Sequence, residues 1–428
     1  MDLGRRRNNW SIGEGTVRRK SGCGLLLLVG VILTLGAARG SGGDLAPFLS
    51  GREPVRAQEP ALEPQAYLPI VGNGPNPFRF AVTADMRVYS GPGRYDTPQF
   101  FRGACEAIAD TGSSAFMVTP GDLDPAGDVY WTITSTLGSS YRWYPGVGNH
   151  ELPGKGYEPR RGANMAWLRA FDYGEVNPGP SGCPETTYSF DYENAHFVML
   201  NEYCDATGDT ATAGDIPDHL YNWLVEDLVS TDKAHVFVFG HEPAYPQPDA
   251  ATDRLRHLGD SLDQYPAHRD RFWHLLGQER VDAYICGHTH NYSLVNVDGM
   301  WQLDVGHARG LGDTGAPSTF VMVEVVGDLV TYQTYRDDAA GGPYALVDEM
   351  TCGLPADFDC DSVVELEEVR QVMSKWRSAQ EHEVHSARHD LDDNGAVTSE
   401  DVMRAIRSWG HACQGRGGEL PRSGRAPR

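Results

Sequence analysis

Five predicted β-strands in this chain each end in a short polar loop that contains a potential metal ligand. In chain order the loops are TADMR at 83–87, GDLD at 121–124, GNHE at 148–151, GHEP at 240–243 and GHTH at 287–290. In an α/β sheet the functional crevice lies outside the carboxyl ends of the strands, so loops in this position are expected to converge. The sequence therefore predicts an α/β fold in which five distant segments form one polar site.

The side chains in these loops suit divalent metal ions. Carboxylate, amide oxygen and neutral imidazole groups bind zinc, manganese or iron without thiolates, and a carboxylate such as Asp122 is able to bridge two ions. The glycines that precede Asp122, Asn149, His241 and His288 permit tight turns that direct the next side chain into the site. His288 and His290 are two residues apart, which in an extended segment places both on one face.

Strand and helix patterns alternate along the region that carries the loops. The predicted strands are 78–83, 115–119, 142–145, the pair within 188–200, 235–239, 283–286 and 331–335, and the predicted helices are 98–110, 163–171, 219–229 and 270–278. This alternation indicates a layered sheet with helices on its faces.

The ordered set of loops resembles that of the calcineurin-like metallophosphoesterase family over roughly residues 78–335. The resemblance implies a layered β-sheet sandwich flanked by helices and a site for two divalent metal ions (Mn, Fe or Zn). It implies the following roles: Asp85 and His290 as ligands of the first metal, Asp122 as the bridging carboxylate, Asn149, His241 and His288 as ligands of the second metal, and His150 as the catalytic histidine. The implied reaction is hydrolysis of a phosphate ester by a metal-bound hydroxide.

The first loop departs from the family pattern. The family has Asp-x-His there, whereas Asp85 is followed by Met86 and Arg87. A guanidinium stays protonated and has no acceptor, so Arg87 cannot be a ligand and the first metal loses one protein ligand. We expect Arg87 to contact the substrate phosphate instead. The purple acid phosphatases also lack that histidine, but they have a tyrosine three residues after the bridging aspartate, where this chain has Pro125. Membership of that group is not expected.

Other polar residues near the loops have simpler interpretations. Asp124, Glu151 and Glu242 are expected to support the loops rather than to bind metal. For His307 two interpretations stay open, a packing role and a position in the crevice. Asn291 begins an N-x-S glycosylation sequence, but a glycan beside His290 would obstruct the site.

The first 40 residues have the pattern of a secretory signal peptide. Basic residues precede the apolar run Leu25–Ala38, which ends in small residues. The run is shorter than the about 20 residues that a membrane span requires, and an uncleaved membrane anchor is the alternative. Residues 41–76 are rich in Pro and Gly, which predicts a linker before a metallophosphoesterase domain at 77–350. We therefore expect a secreted protein with no stable membrane span beyond the signal segment.

Export permits disulfide bonds. Seven of the eight cysteines follow Cys23 and the signal segment, and this odd number leaves at least one free thiol. Cys183 and Cys204 flank the predicted strand pair, and Cys352 and Cys413 bracket the C-terminal segment. Both pairings are hypotheses, because spacing does not fix connectivity.

Two acidic segments near the C-terminus have the spacing of twelve-residue calcium loops, each followed by an amphipathic helix. The predicted ligands are Asp390, Asp392, Asn394 and Asp401 in the second loop, and Asp357, Asp359, Asp361 and Glu368 in the first. The tandem is similar to dockerin type I modules over residues 351–413, which implies a small all-α calcium-binding module. Two roles stay open for it, docking onto a cohesin-like partner and capping the enzyme domain. Residues 414–428 are rich in Gly, Arg and Pro and are predicted to be disordered.

Two functions from different classes compete. The net charge of −23 argues against a nucleic-acid-binding surface for either of them. The favoured hypothesis is a secreted, metal-dependent phosphoric ester hydrolase. The alternative is a non-catalytic, calcium-dependent extracellular binding or scaffold protein that retains a degenerate phosphoesterase domain.

Overall fold

The computed structural model describes most of the chain between residues 76 and 408. The described residues are 76–86, 96–152, 161–209, 211, 213–338, 342–353, 356–358, 364–377, 389–391 and 396–408. The predicted signal peptide, residues 41–75 of the linker and the C-terminal tail lie outside these ranges. The domain boundaries therefore stay predictions.

Two β-sheets form the centre of the described part of the chain. In chain order the strands are β1 (Phe78–Val82), β2 (Phe116–Thr119), β3 (Arg142–Pro145), β4 (Asn177–Pro178), β5 (Tyr188–Tyr192), β6 (Ala195–Met199), β7 (His235–Phe239), β8 (Ala283–Cys286), β9 (Tyr292–Val297), β10 (Met300–Val305), β11 (Thr319–Val326), β12 (Leu329–Arg336) and β13 (Ala345–Cys352). The first sheet has the order β13-β12-β11-β1-β2-β3, and the second has the order β4-β5-β6-β7-β8-β10-β9. Each sheet contains a parallel run, β1-β2-β3 in the first and β6-β7-β8 in the second.

Helices cover the outer faces of both sheets, and others follow β13 near the C-terminus with a core of their own. They are α1 (Phe101–Asp110), α2 (Ala126–Leu137), α3 (Arg161–Arg169), α4 (Asp218–Ser230), α5 (Pro266–Gln278), α6 (Leu366–Lys375) and α7 (Ser399–Ser408), with short 3-10 turns at Leu262–Gln264 and Gly310–Gly312. Buried side chains of α1, α2 and α3 pack on the first sheet, and those of α4 and α5 pack on the second. The predicted α/β fold, a layered β-sheet sandwich flanked by helices, is confirmed.

Aromatic side chains fill the space between the two sheets. Phe80 of β1 and Phe116 of β2 are buried and meet Phe197 of β6 edge to face, with ring centroids 5.1 and 5.3 Å apart. Phe80 also contacts Phe237 of β7 at 5.3 Å. Each such side chain contributes about 1.5–3 kcal/mol by burial. This core holds the carboxyl ends of the two parallel runs next to each other.

The C-terminal helices have a small core of their own. Phe358, Val364, Val369 and Val372 pack together with Val397 and Ala405. Glu368 closes the segment before α6, because its Oε1 accepts the Phe358 N–H at 2.6 Å and its Oε2 accepts the Glu365 N–H at 2.8 Å. Several apolar side chains on the two helices stay exposed, namely Leu366, Met373, Trp376, Met403 and Ile406.

One predicted disulfide is present. Cys183 is bonded to Cys204, which confirms that pairing. Cys352 is disulfide-bonded as well, and the predicted pairing with Cys413 lies outside the described residues. Cys105 and Cys286 are buried free thiols. No helix among the described residues is long and apolar enough to cross a membrane.

A buried histidine couples the stability of the second sheet to pH. His196 on β6 contacts Asp191 of β5 at 2.7 Å and Asp227 of α4 at 2.9 Å. Burial alone would lower the pKa of His196, but the hydrogen bonds to Asp227 and Asp191 raise it above its usual value. The stabilisation is therefore complete below the unfolded pKa of about 6.5 and is lost as the pH rises through the folded pKa.

We expect His196→Gln to lower the free energy of unfolding by about 1–2 kcal/mol at pH 6 and by less at pH 9. Urea denaturation at the two pH values measures the difference, with His274→Gln on the exposed face of α5 as the control. A loss that is equal at both pH values would contradict the coupling.

Candidate metal centre

The predicted loops meet where the carboxyl ends of the two parallel runs face each other. The Asp85 N–H donates to the Gly121 carbonyl at 3.2 Å, and the Gly287 N–H donates to the His241 carbonyl at 3.0 Å. The two groups of loops are joined by the His288 N–H, which donates to Asp85 Oδ2 at 2.8 Å. Segments that are far apart in the chain therefore form one site, as the sequence predicted.

Four predicted ligands have left-handed backbone conformations. The φ angles are 54° at Asp85, 58° at Asp122, 69° at His288 and 59° at His290. The expectation that His288 and His290 lie in an extended segment is wrong, because both have left-handed backbone conformations. Such conformations cost non-glycine residues about 1–3 kcal/mol and persist where the surrounding structure holds them, often at functional sites.

Glycine permits the loops to approach one another closely. A Cβ atom at Gly148 would lie 2.4 Å from both the backbone nitrogen and Oδ1 of Asp122. Gly121 has a φ of 111°, which L side chains rarely adopt. The positive φ at Gly121 and the close approach at Gly148 explain why the GDLD and GNHE loops have glycine at these positions.

Two backbone carbonyls fix the tautomers of His241 and His288. His241 Nδ1 lies 2.9 Å from the Pro120 carbonyl, and His288 Nε2 lies 3.3 Å from the Asp260 carbonyl. A carbonyl only accepts, so these nitrogens carry the protons. The unprotonated His241 Nε2 and His288 Nδ1 face each other at 3.2 Å, and His241 Nε2 is 3.5 Å from Asp122 Oδ1.

This donor set fits a metal ion. An ion bound tetrahedrally at about 2.0–2.1 Å from two imidazole nitrogens separates them by about 3.3 Å, close to the spacing of His241 and His288. Burial and the neighbouring His241 hold the pKa of His288 well below its usual value, so the ring is neutral as a ligand must be. Two lone pairs and a carboxylate that point at one place favour a cation there.

Another donor set, which includes Asp85 and His290, shares Asp122 with the set around His241 and His288. Asp85, Asp122 and His290 are buried and have ligand atoms within 4.8 Å of one another. His290 Nε2 lies 3.4 Å from Asp85 Oδ1, and His290 Nδ1 lies 2.7 Å from Asp313 Oδ2. The Asp313 carboxylate therefore holds the proton on Nδ1 and leaves the Nε2 lone pair directed at Asp85. This is the arrangement in which a carboxylate orients a metal-binding histidine.

Asn149 and His150 lie at the rim of the donor sets. Both are half-buried, whereas the other five predicted metal ligands are buried. The His150 N–H donates to Asp122 Oδ1 at 3.0 Å, and His150 Nε2 lies 3.9 Å from Asp122 Oδ2. The His150 ring therefore lies beside Asp122 and stays 22% exposed to solvent.

Two buried glutamates hold the loops in place. Glu151 accepts hydrogen bonds from three backbone N–H groups, those of Asp122, Leu123 and Gly148, at 2.7–2.9 Å. Glu202 accepts from the N–H groups of His241 and Glu242 at 3.0 and 2.7 Å. The contacts of Glu151 agree with the supporting role that we predicted. Burial and the nearby Asp122 raise the pKa of Glu151 well above its usual value.

His307 and Asn291 have structural contacts. His307 Nε2 donates to the Ala316 carbonyl at 3.1 Å and its Nδ1 accepts the Arg309 N–H at 3.1 Å, which favours the packing role. Burial lowers the pKa of His307 to about 3. Asn291 is fully buried and bonds through both side-chain atoms to Arg254, so it offers no accessible position for a glycan.

Three residues that hold the site in place, Asp313, Arg254 and Glu202, were not predicted from the sequence. Asp313 and Arg254 orient His290, since Arg254 donates to Asp313 Oδ1 and to the His290 carbonyl, both at 2.9 Å. Glu202 lies three residues after β6, so a polar residue near a sixth strand end was an available signal. Asp313 and Arg254 belong to no motif and gave none.

Several predicted residues lie outside the described part of the chain. They are Arg87 and the calcium ligands Asp359, Asp361, Asp392 and Asn394. The other predicted calcium ligands, Asp357, Glu368, Asp390 and Asp401, are described and buried.

A family profile matches the region that holds this site. The description of that family is calcineurin-like phosphoesterase, and the match covers residues 78–292, half of the chain. This chain belongs to that family. Membership of the calcineurin-like phosphoesterases implies the use of divalent metal ions, with which the buried Asp85, Asp122 and His290 agree. No curated protein sequence matches the chain.

Solved structures of low sequence identity also match. A purple acid phosphatase from yellow lupin (Lupinus luteus) seeds is 17% identical over 65% of this chain and 54% of its own, with a TM-score of 0.47. PhoD is 13% identical over 66% of this chain and 70% of its own, with a TM-score of 0.47. GAP50 of Plasmodium is 13% identical over 65% and 89%, with a TM-score of 0.42. This calcineurin-like chain thus spans about half the length of the lupin phosphatase.

Removal of the Asp313 carboxylate should weaken one metal site selectively. We expect Asp313→Ala to lower the affinity for one ion by about 10–100-fold, because His290 loses the group that orients it. Elemental analysis after dialysis against limiting metal measures the bound ions, with Asp270→Ala on the exposed surface of α5 as the control. Equal metal content in the variant and the wild type would contradict this role.

Proposed function

We propose that this calcineurin-like phosphoesterase is an extracellular enzyme that hydrolyses phosphate esters with two divalent metal ions. One observation carries the proposal. The lone pairs of His241, His288 and His290 are each fixed by a hydrogen bond on the opposite ring nitrogen. The His241 lone pair faces Asp122, the His290 lone pair faces Asp85, and the His288 lone pair faces that of His241. Without a cation, these lone pairs and the negatively charged carboxylates would repel one another, so the arrangement favours a bound metal ion.

The ligand sets are unequal in the proposal. Asp122, Asn149, His241 and His288 would hold the second ion, and Asp85, Asp122 and His290 the first. When bound, two such ions stabilise the attacking and leaving oxygens of a phosphate ester and lower the pKa of water. Their identity is manganese, iron or zinc, the metals that this donor set suits.

The surrounding residues have distinct tasks. His150 would donate a proton to the leaving oxygen of the ester, a role that suits an imidazolium. Arg87 would contact the substrate phosphate. An Arg87→His variant that gained a second tightly bound metal and lost no activity would remove Arg87 from this role.

Hydrolysis of chromogenic phosphate esters tests the proposed activity. We expect purified protein to hydrolyse a nitrophenyl phosphomonoester or phosphodiester when manganese is added and to lose the activity in a chelator. An absence of hydrolysis of both esters by protein that holds bound metal would favour the binding or scaffold protein instead.

The C-terminal module supports a second role, calcium-dependent binding. Asp357, Glu368, Asp390 and Asp401 stand at the first and last positions of the two predicted loops and are at most 5% exposed. Carboxylates at these positions suit calcium. The exposed apolar side chains of α6 and α7 are available to a cohesin-like partner, which the resemblance to dockerins implies.

Calcium should stabilise this module. We expect millimolar calcium to raise the melting temperature of the wild-type module by several degrees, since a ligand that binds only the folded state stabilises it. The Asp401→Ala variant should lose most of that increase, and magnesium serves as the control ion. An increase that is the same in wild type and variant would contradict calcium binding in the second loop.

We also propose that the protein is exported. The predicted signal peptide motivates this, and the Cys183–Cys204 bond is typical of oxidising compartments. Mass spectrometry of secreted protein should find an amino terminus near residue 40. Full-length protein retained in cell membranes would instead support the uncleaved anchor.

A further inference from the structure

One segment beside the metal centre orients two of the histidines through Arg254 and Asp260, but its residues Arg256 and His257 have no role in the proposed mechanism. Residues 249–261 join the GHEP loop to the 3-10 turn before α5 and lie against the GHTH loop. The Ala250 N–H donates to the Tyr292 carbonyl at 2.9 Å, and Asp249 accepts the Tyr292 N–H at 2.9 Å. Asp249 is also paired with Arg336 of β12. The start of the segment is therefore fixed to the strands behind the site.

The middle of the segment presents Arg256 and His257 at the rim. Arg256 Nη1 donates to the Thr289 carbonyl at 3.0 Å, inside the GHTH loop. The His257 ring lies against the His288 ring, with centroids 4.1 Å apart. The Arg256 and His257 side chains stay 32% and 25% exposed, whereas His288 and His290 are nearly inaccessible. Arg256 and His257 are therefore the more accessible side chains beside the metal-binding histidines.

The guanidinium of Arg256 is held in a fixed direction. Arg256 Nη2 lies 3.3 Å from His257 Nε2, and His257 Nδ1 lies 3.5 Å from Asp260 Oδ2. The Asp260 carboxylate attracts the proton to Nδ1, so His257 Nε2 accepts from Arg256. Arg256 Nη1 is also 3.8 Å from Asp313 Oδ2. A guanidinium fixed in this way loses little side-chain entropy when it binds an anion.

We propose that Arg256 binds a non-bridging oxygen of the substrate phosphate, with His257 as the residue that positions it. This inference rests on the proposed phosphoesterase function and adds a contact that the metal ligands do not provide. A phosphate group is the anion that suits it, because the planar donors of arginine match phosphate oxygens and form charge-assisted hydrogen bonds. In a chain with a net charge of −23, a fixed cation at the rim also favours the entry of an anionic substrate.

Steady-state kinetics of the metal-loaded, full-length protein tests this contact. We expect Arg256→Ala to raise KM for a chromogenic phosphomonoester about tenfold and to leave kcat within about twofold, the pattern of a lost binding contact. The inhibition constant of inorganic phosphate should rise by the same factor. Arg256→Lys should retain part of the effect, and His257→Asn should raise KM less than Arg256→Ala does. Arg370→Ala on α6 is the control, since Arg370 pairs only with Glu367 of the same helix among the contacts described.

Two results would overturn the proposal. One is an unchanged KM and phosphate inhibition in Arg256→Ala with the metal content retained. The other is a loss of bound metal in proportion to the loss of activity in both Arg256→Ala and Arg256→Lys, which would mean that Arg256 only supports the GHTH loop. If the wild type hydrolyses no ester, the phosphoesterase proposal fails by itself. Calorimetry with inorganic phosphate on the wild type and Arg256→Ala then still decides whether Arg256 binds phosphate.

Discussion

Replacement of Asp122 by asparagine should reduce ester hydrolysis by at least about a hundredfold and remove bound metal. Asp122 faces both donor sets, since it belongs to the buried group with Asp85 and His290 and lies 3.5 Å from His241 Nε2. Loss of a residue that only orients a ligand costs about 10–100-fold in metal affinity, so loss of the shared carboxylate should cost more.

The measurement combines elemental analysis with the nitrophenyl phosphate assay. Asp128→Asn is a suitable control, because Asp128 is an exposed aspartate on α2, four residues after Asp124. Full activity in Asp122→Asn would contradict the assignment of Asp122 as the shared ligand. Normal metal content without activity would restrict Asp122 to a role in the reaction.

Glu151→Ala should destabilise the fold by about 3–5 kcal/mol. Glu151 is fully buried and accepts three backbone N–H groups of two metal loops, and each buried donor left without an acceptor costs about 1–3 kcal/mol. Glu151→Gln keeps one acceptor oxygen and should lose less. Because the loops would relax, we also expect weaker metal binding in both variants.

Urea denaturation of metal-free protein measures this loss. Glu106→Ala on α1 is the matched control, since Glu106 is partly exposed and pairs with Arg102 one turn away. A change of less than about 1 kcal/mol in Glu151→Ala would contradict the supporting role. Such a result would mean that the loops are held without this carboxylate.

The sequence predicted the elements that carry the metal loops because their signals are local. The strands before Asp85, Asp122 and His241 are short apolar runs, and each is followed within three residues by the polar ligand. Strands β3, β7 and β8 have the predicted bounds. Helix α2 was not predicted, since its residues Val129 to Thr136 are mostly β-branched or aromatic and have low helix propensity. Its burial against α1, α3 and the first sheet outweighs that preference.

The groups that orient the metal ligands could not be predicted from the sequence. The Pro120 and Asp260 carbonyls fix two histidine tautomers. Because every residue has a backbone carbonyl, the residue type does not reveal this role. Asp313 reaches His290 from 23 residues further along the chain, and only the turn after β10 brings it there. The prediction for His288 and His290 failed for a similar reason, because spacing alone does not reveal a left-handed turn.

Metal reconstitution of the wild-type protein tests the central claim most directly. Purified protein is stripped with a chelator, manganese is added back in steps, and hydrolysis of nitrophenyl phosphate is followed against the metal content. We predict no activity without metal and recovery that is complete at about two ions per chain, with the two ions bound at unequal affinity. Activity that persists after stripping, or no activity at full metal occupancy, would contradict a metal-dependent phosphoesterase.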